Sequence, residues 1–248
     1  TNTADVTVGS ALTAAGPISV YGGDVTANHD LTLTTTGADL VLKGTGKITL
    51  AADKTIQTNN GAIVLWANST DGTSGGIDIN NNAGINSANG STSQVTGGGS
   101  IVLGGGSATR TLASGTVVPT GASNGTGSDI SGIHLGTPNQ TTEIKIYSGG
   151  GDVSLSGVST TPFSSSGNYQ GVQWDEIGLI DAGDGSISIT GSSAGWHGIE
   201  LGAYGGKFTL KAADGVAING SSSDTGNRVG FQGSGDIIVS GNGAIDLT

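Results

Sequence analysis

Three short stretches, Ile18-Ser19-Val20, Leu40-Val41-Leu42 and Ile63-Val64-Leu65, share an apolar–variable–apolar pattern and recur along the chain at a nearly constant spacing. An apolar residue at every second position is typical of a strand with one buried face. Each stretch is too short to be stable by itself. A strand that recurs at a nearly fixed spacing predicts a repeat protein, in which each repeat is covered by its neighbours.

Two further series of apolar residues follow the same period. The step from Val25 to Ile48 equals the step from Leu33 to Ile56, and both equal the step from Leu40 to Ile63. Three interleaved series with one period predict three strands in each turn of a solenoid, which we call a coil. The sequence therefore predicts an all-β right-handed parallel β-helix. A β-sandwich is the alternative, with a propeller behind it, although a sandwich would have hairpin turns and longer strands.

In the second half of the chain the period lengthens. The strand openings Gly132-Ile133, Gly171-Val172 and Gly198-Ile199 recur, and we align Val229-Gly230-Phe231 with Ile199-Glu200-Leu201. In this alignment Trp174 falls in an inward column, so we expect it to be part of the core. The middle residue of each aligned strand falls in an outward column (His134, Gln173, Glu200 and Gly230).

The extra length follows the third strand of each coil, in polar segments at 159–168, 192–194 and 221–226. Insertions at one corner would place these loops on one edge of the solenoid, which is often the binding face of a repeat protein. Two longer insertions, 86–99 and 104–128, are also expected to loop out.

We interpret residues 1–248 as one β-helix domain, with regular coils over 1–80 and loop-inserted coils over 81–248. Nine or so coils at the strand spacing of a sheet predict a rod of roughly 40–45 Å. Since the chain starts at Thr1 and stops inside a strand-like unit, we expect a segment of a longer repetitive protein or a subunit that stacks end to end.

The composition excludes several classes of protein. Gly, Ser, Thr and Asn make up half of the 248 residues, and there is no cysteine. A disulfide framework and a thiolate metal site are therefore excluded. No apolar run has the roughly 20 residues of a membrane helix. A net charge of −11 argues against binding to nucleic acid or insertion into anionic membranes.

The texture of the stretches at 151–157 (GDVSLSG), 183–191 (GDGSISITG) and 16–25 (GPISVYGGDV) resembles the filamentous-haemagglutinin class of large bacterial surface and secreted proteins. The resemblance covers most of the chain. It implies an exported β-helix of the two-partner secretion type, an extracellular location, and a role in adhesion or fibre formation. It carries over no enzymatic residue.

Three aromatic residues near the second-half corners are the best candidates for ligand binding. Tyr169 and Trp196 each lie three positions before an aligned strand opening, and Tyr204 is close in sequence. A row of exposed aromatic rings could stack on sugar rings. The alternative, which we favour, is that these side chains cap the core under the loops.

Four carboxylates, Asp175, Glu176, Asp181 and Asp184, are crowded into one stretch. Paired carboxylates can hydrolyse glycosides, and several carboxylate oxygens can bind calcium. No basic residue recurs beside them, and aspartate is also typical of turns. We therefore expect no enzyme, no catalytic residue and no cofactor, with these four as the weak candidates for calcium.

The sequence thus predicts a structural and adhesive extracellular β-helix rod, on a bacterial surface or in a fibre, that presents loops on one edge. Its expected partners are copies of itself or flanking coils, and host or biofilm glycans. The alternative is a β-helix that binds or cleaves carbohydrate.

Overall fold

The computed structural model of the chain describes residues 3–126, 131–138, 142–162, 169–175, 177–203, 206–224 and 228–248. These residues form 26 strands and no helix. Accordingly, no helix among the described residues is long and apolar enough to span a membrane.

Three parallel sheets, which we call A, B and C, contain nearly all strands, and each coil contributes one strand to each sheet. Sheet A contains β1 (Val6–Val8), β4 (Val25–Ala27), β7 (Ile48–Leu50), β10 (Ile77–Ile79), β15 (Ile133–Leu135), β18 (Val172–Trp174), β21 (Ile199–Leu201) and β24 (Phe231–Gly233). Sheet B contains β2 (Leu12–Ala14), β5 (Leu31–Thr36), β8 (Thr55–Asn59), β11 (Gly84–Asn86), β16 (Glu143–Tyr147), β19 (Ile177–Asp181), β22 (Phe208–Ala212) and β25 (Gly235–Val239).

Sheet C contains β3 (Ile18–Gly22), β6 (Leu40–Gly44), β9 (Ile63–Ala67), β12 (Ile101–Thr111), β17 (Val153–Ser159), β20 (Ile187–Ser193), β23 (Val216–Ser222) and β26 (Ile245–Leu247). Two more strands, β13 (Val117–Gly121) and β14 (Ser123–Gly125), pair with sheet C from the side. The prediction of a parallel β-helix with three strands per coil is confirmed. The described residues form eight coils rather than nine, so the stack is about 35 Å long at the strand spacing of a sheet.

The register of the regular coils follows the sequence period. Ile18 pairs with Leu40 and Leu40 with Ile63, whereas Val25 pairs with Ile48 in sheet A. These side chains alternate with outward neighbours, so each coil sends its apolar residues into one continuous core. Trp174 is part of that core and is fully buried.

Two predicted registers are wrong, each by two positions. Leu31, not Leu33, pairs with Ile56, because β5 carries a bulge after Thr32. Phe231, not Val229, pairs with Ile199, so Gln232 takes the place predicted for Gly230. Both errors keep the inward or outward direction of the side chains, since that direction alternates with a period of two.

The two longest connections in the second half, 160–171 and 223–230, lie between sheets C and A, as the sequence predicts, whereas 136–142 and 202–207 lie between sheets A and B. The predicted loops are shorter than expected, because the third strands continue into them: Ser159, Ser193 and Ser222 are paired strand residues. The insertion at 86–99 lies at a different corner, between β11 and β12. The insertion at 104–128 is not a simple loop, since it contains the antiparallel β12–β13 hairpin and β14.

Aspartates at the corners connect one coil to the next. Backbone N–H groups of Lys47, Ala62 and Ser186 donate to the carboxylates of Asp24 at 2.8 Å, Asp39 at 2.7 Å and Asp152 at 3.0 Å. In each pair, donor and acceptor belong to consecutive coils. At these corners strand pairing ends. The turn aspartates there accept hydrogen bonds from backbone N–H groups of the following coil, and not only from their own turn.

A column of glycines occupies the corner that precedes sheet C, at Gly61, Gly99, Gly151 and Gly185. A methyl group on Gly99 would collide with the carbonyl oxygen of Gly61, and one on Gly151 would collide with that of Gly99. The same relation links Gly185 to Gly151. Consecutive coils thus approach at this corner so closely that no side chain fits between their backbones.

We expect Gly99→Ala to destabilise the protein by about 2–3 kcal/mol, because the collision is with backbone that cannot move without shifting a coil. The matched control is Gly16→Ala, where the new methyl group would have no neighbour within 4 Å. Its effect should be about 0.5 kcal/mol or less. Urea unfolding of both variants measures the difference, and equal stabilities would contradict the close-approach argument.

Candidate functional site

The outer face of sheet A carries a row of polar side chains in successive coils. Asp78 on β10 is in register with His134 on β15, His134 with Gln173 on β18, and Gln173 with Glu200 on β21. The predicted outward column is confirmed for His134, Gln173 and Glu200. However, Gln173 is only 1% exposed, so this part of the column is covered rather than solvated.

His134 lies between two carboxylates. Its Nδ1 is 3.3 Å from Asp78 Oδ1, and its Nε2 is 3.0 Å from Asp175 Oδ2. Lys47 Nζ is 3.3 Å from the other oxygen of Asp78. The two cations and two carboxylates balance in charge and connect side chains from four consecutive coils.

Amide and hydroxyl groups complete the network around Asp175. Gln173 Nε2 donates to Asp175 Oδ1 at 2.7 Å, and Ser131 Oγ donates to Gln173 Oε1 at 2.8 Å. The side chain of Asp175 is 0% exposed. A carboxylate can be buried only when it is paired and hydrogen-bonded, and both of its oxygens meet that requirement here.

The two carboxylates control the ionisation of His134. Burial by itself would lower the pKa of His134, but the hydrogen bonds and charges of Asp175 and Asp78 outweigh it and raise the pKa to about 9. Burial likewise opposes ionisation of Asp78, yet His134 and Lys47 hold its pKa below the usual value. His134 and Asp78 are therefore both charged at neutral pH.

The chemistry that this arrangement supports is mainly structural. Asp175 has no exposed surface, whereas the side chains of His134 and Asp78 are 28% and 23% exposed. An imidazole that stays protonated cannot act as a base at neutral pH. We call Lys47, Asp78, Ser131, His134, Gln173 and Asp175 the polar clamp, since the network ties neighbouring coils together on their outer side.

The two aromatic candidates that the structure describes, Tyr169 and Trp196, are less exposed than sugar stacking on a row of open rings would require. Tyr169 is buried, at 4% exposure. The ring of Trp196 is partly exposed, but the guanidinium of Arg228 lies 3.3 Å from its centroid, and His197 contacts it edge-on. Tyr204 lies outside the described residues. The burial of Tyr169 agrees with the alternative that these aromatics cover the core.

The calcium candidates do not lie at one corner. Asp175 follows β18 and belongs to the polar clamp, whereas Asp181 ends β19 and Asp184 lies in the next corner. Asp181 Oδ1 accepts the N–H of Gly183 at 3.1 Å, as a turn aspartate does. Glu176 lies outside the described residues. Within the described part of the chain, no group of three or more histidine, aspartate or glutamate side chains is arranged to hold a metal ion.

Sequence reasoning found the column of His134 but not its partners. Asp78 and His134 are neighbours in sheet A, but the hairpin insertion lies between them in the chain and hides their common register. Asp175 follows the strand at a corner, where the alternation of side chains no longer predicts direction. The sequence signal that points to this site is the alignment of polar residues at the middle positions of the sheet A strands.

Comparison of the chain with family models, with curated proteins and with solved structures finds no match. The resemblance to filamentous haemagglutinins therefore stays a prediction from sequence texture.

We expect the stability of the protein to fall by about 3 kcal/mol between pH 6.5 and pH 9 through the polar clamp. The folded protein holds the proton of His134 more tightly than the unfolded chain does, because the folded-state pKa is raised. This contribution is complete below pH 6.5 and is lost as the pH rises through about 9. Urea unfolding across this range measures it.

The variant His134→Gln should be less stable at neutral pH and should lose this pH dependence. His29→Gln, which removes a histidine outside the clamp, is the matched control and should keep the slope of the unmodified protein. An unchanged slope in His134→Gln would show that the clamp does not titrate as described.

Proposed function

We propose that this chain is a structural and adhesive rod, which carries loops away from a bacterial surface or along a secreted fibre. The observation that carries the proposal is the continuous parallel pairing of each sheet through all eight described coils. A solenoid whose strands pair from coil to coil is stiff along its axis and can be extended by adding coils.

The distribution of connections supports a presenting role. The two longest connections after residue 150, at 160–171 and 223–230, lie between sheets C and A. The strands that flank them begin and end along one edge of the rod, while the inward columns of the same coils stay apolar. Loops at such an edge can vary without changing the core, which suits the recognition of partners.

Composition supports an exported protein. The chain has no cysteine, a net charge of −11 and half of its residues as Gly, Ser, Thr and Asn. An excess of one charge sign keeps a protein soluble, and a polar surface suits an extracellular location. Host or biofilm glycans and copies of the same chain are the proposed partners.

Self-association is supported by apolar side chains at the last coil. Ile245 and Leu247 are in register with the buried Val216 and Ile218, yet they are 50% and 51% exposed. They continue the inward columns of sheet C, so a further coil or an end of a second copy would cover them. Burial of such side chains favours association.

We expect the isolated chain to associate end to end in a concentration-dependent manner. The double variant Ile245→Lys and Leu247→Lys should weaken this association about tenfold or more, because two charges would have to be buried. The matched control is Val95→Lys, which changes an exposed apolar residue in the 86–99 insertion. Analytical ultracentrifugation measures the three, and a chain that stays monomeric at all concentrations would contradict stacking.

The adhesive part of the proposal has its own measurement. Beads coated with the chain should be retained on host cells or on biofilm matrix in a flow chamber, whereas beads coated with serum albumin should not. Equal retention of the two kinds of bead would contradict the adhesive role and leave the structural role alone.

A further inference from the structure

The β12–β13 hairpin folds over the outer face of sheet C and is fixed there by specific contacts. Trp66 Nε1 donates to the carbonyl oxygen of Gly106 at 2.8 Å, and the hydroxyl of Thr116 donates to the carboxylate of Asp39. Under the hairpin, side chains of sheet C and β13 form a second apolar cluster, separate from the main core (Val64, Trp66, Val102 and Val118). The hairpin is therefore a packed element.

Between the hairpin and the first strands of sheet C lies an open groove of about 460 Å³, which we call the hairpin groove. Outward side chains of β3 and β6, including Ser19, Tyr21, Val41 and Lys43, form its floor, with Trp66 at one side. Thr109, Thr116 and Val117 of the hairpin form its wall. A volume of this size is within the range of small-molecule sites in proteins.

A cation lies in the floor of the groove. Tyr21, Lys43 and Trp66 are in register on neighbouring strands, and Lys43 Nζ is 3.4 Å from the centroid of the Trp66 ring. Burial lowers the pKa of Lys43. Among the described residues, Lys43 forms no ion pair with a carboxylate. An anion bound in the groove would therefore stabilise the charge of Lys43, which burial partly removes from water.

Hydrogen-bonding and apolar groups surround this cation. Asp39 immediately precedes the strand that carries Lys43, and the rise of a strand puts the two about 13 Å apart along the backbone. Its carboxylate already accepts the N–H of Ala62 at 2.7 Å and the hydroxyl of Thr116, which fixes its position. Tyr21 is 53% exposed and Val117 is 48% exposed, so an apolar ligand face has surface to contact.

We propose that the hairpin groove binds a carboxylate-bearing saccharide, such as a uronic acid oligomer. Lys43 pairs with the carboxylate, and the exposed ring of Tyr21 packs on the apolar face of a sugar ring. The exposed hydroxyls of Ser19 and Thr109 bond with sugar hydroxyls. The combination of one cation, an aromatic face and several hydroxyl groups matches the chemistry of an acidic sugar.

This site lies on the outer face of sheet C in the first three coils, whereas Tyr169 and Trp196 precede β18 and β21, several coils further along the rod. It adds a ligand to the proposed rod and does not depend on self-association or on the loops. If no saccharide binds, the rod function stands. If the chain stays monomeric and its beads are not retained, the groove can still bind its ligand.

Titration calorimetry with a mannuronate tetrasaccharide and with its neutral methyl ester tests the proposal on the full chain. We expect the acid to bind and the ester to bind about tenfold more weakly, as the loss of a charge-assisted contact implies. Lys43→Met keeps the stem over Trp66 and should weaken binding of the acid about tenfold, whereas Lys43→Arg should retain it.

Tyr21→Ala should weaken binding of acid and ester alike, because the ring contacts sugar and not charge. Lys211→Met removes a lysine from sheet B, outside the groove, and should bind as the unmodified protein does. Circular dichroism checks that each variant is folded, and the comparison of acid with ester needs no variant at all.

Each of three results with the saccharides would overturn the proposal: no binding of the acid, equal binding of acid and ester, or unchanged binding by folded Lys43→Met. Equal or tighter binding of a glutamate oligopeptide would assign the groove to acidic peptides instead and would also overturn it.

Discussion

The structure depends on the close approach of one coil to the next at the corners. Paired strands are held about 4.8 Å apart along the axis, and the chain must keep that spacing where strand pairing stops. Glycines such as Gly61, Gly99 and Gly151 allow it, because each backbone carbonyl occupies the space of the next coil's missing side chain. Corner aspartates such as Asp152 then satisfy N–H groups that have no strand partner. The high glycine content thus reflects contact between coils as well as turn geometry; among the described glycines, 12 have a positive φ.

Regular pairing also explains why polar groups far apart in sequence meet on the outer face. Asp78, His134 and Gln173 occupy equivalent positions in consecutive coils, so side chains on neighbouring strands are separated by a whole coil of chain and its insertions. Where the side chains of such a column are buried, each charged group must be paired with an opposite charge. The polar clamp does so with two cations, two carboxylates and two neutral hydrogen-bonding groups, and it links the stability of several coils to the proton on His134.

Insertions in this solenoid are tolerated because they leave at corners or strand ends, where the inward columns are not interrupted. The hairpin formed by β12 and β13 shows what an insertion can add. It packs a second small apolar cluster on the outside of sheet C and creates a groove without changing the register of β9, β12 and β17. A rod built in this way can gain binding surfaces while its core remains the same.

The sequence by itself determined the fold class, the three strands per coil and the inward or outward direction of most side chains. Alternation and spacing carry this information locally, and it survives even the register errors at Leu33 and Val229, because direction repeats at every second position. Only the tertiary structure decided which residues face each other across long insertions: Asp78 with His134, and Asp175 with His134. Those contacts depend on the lengths and paths of connections, on bulges and on a hairpin that folds back. Such features are set by the packing of the whole chain and leave no periodic signal in the sequence.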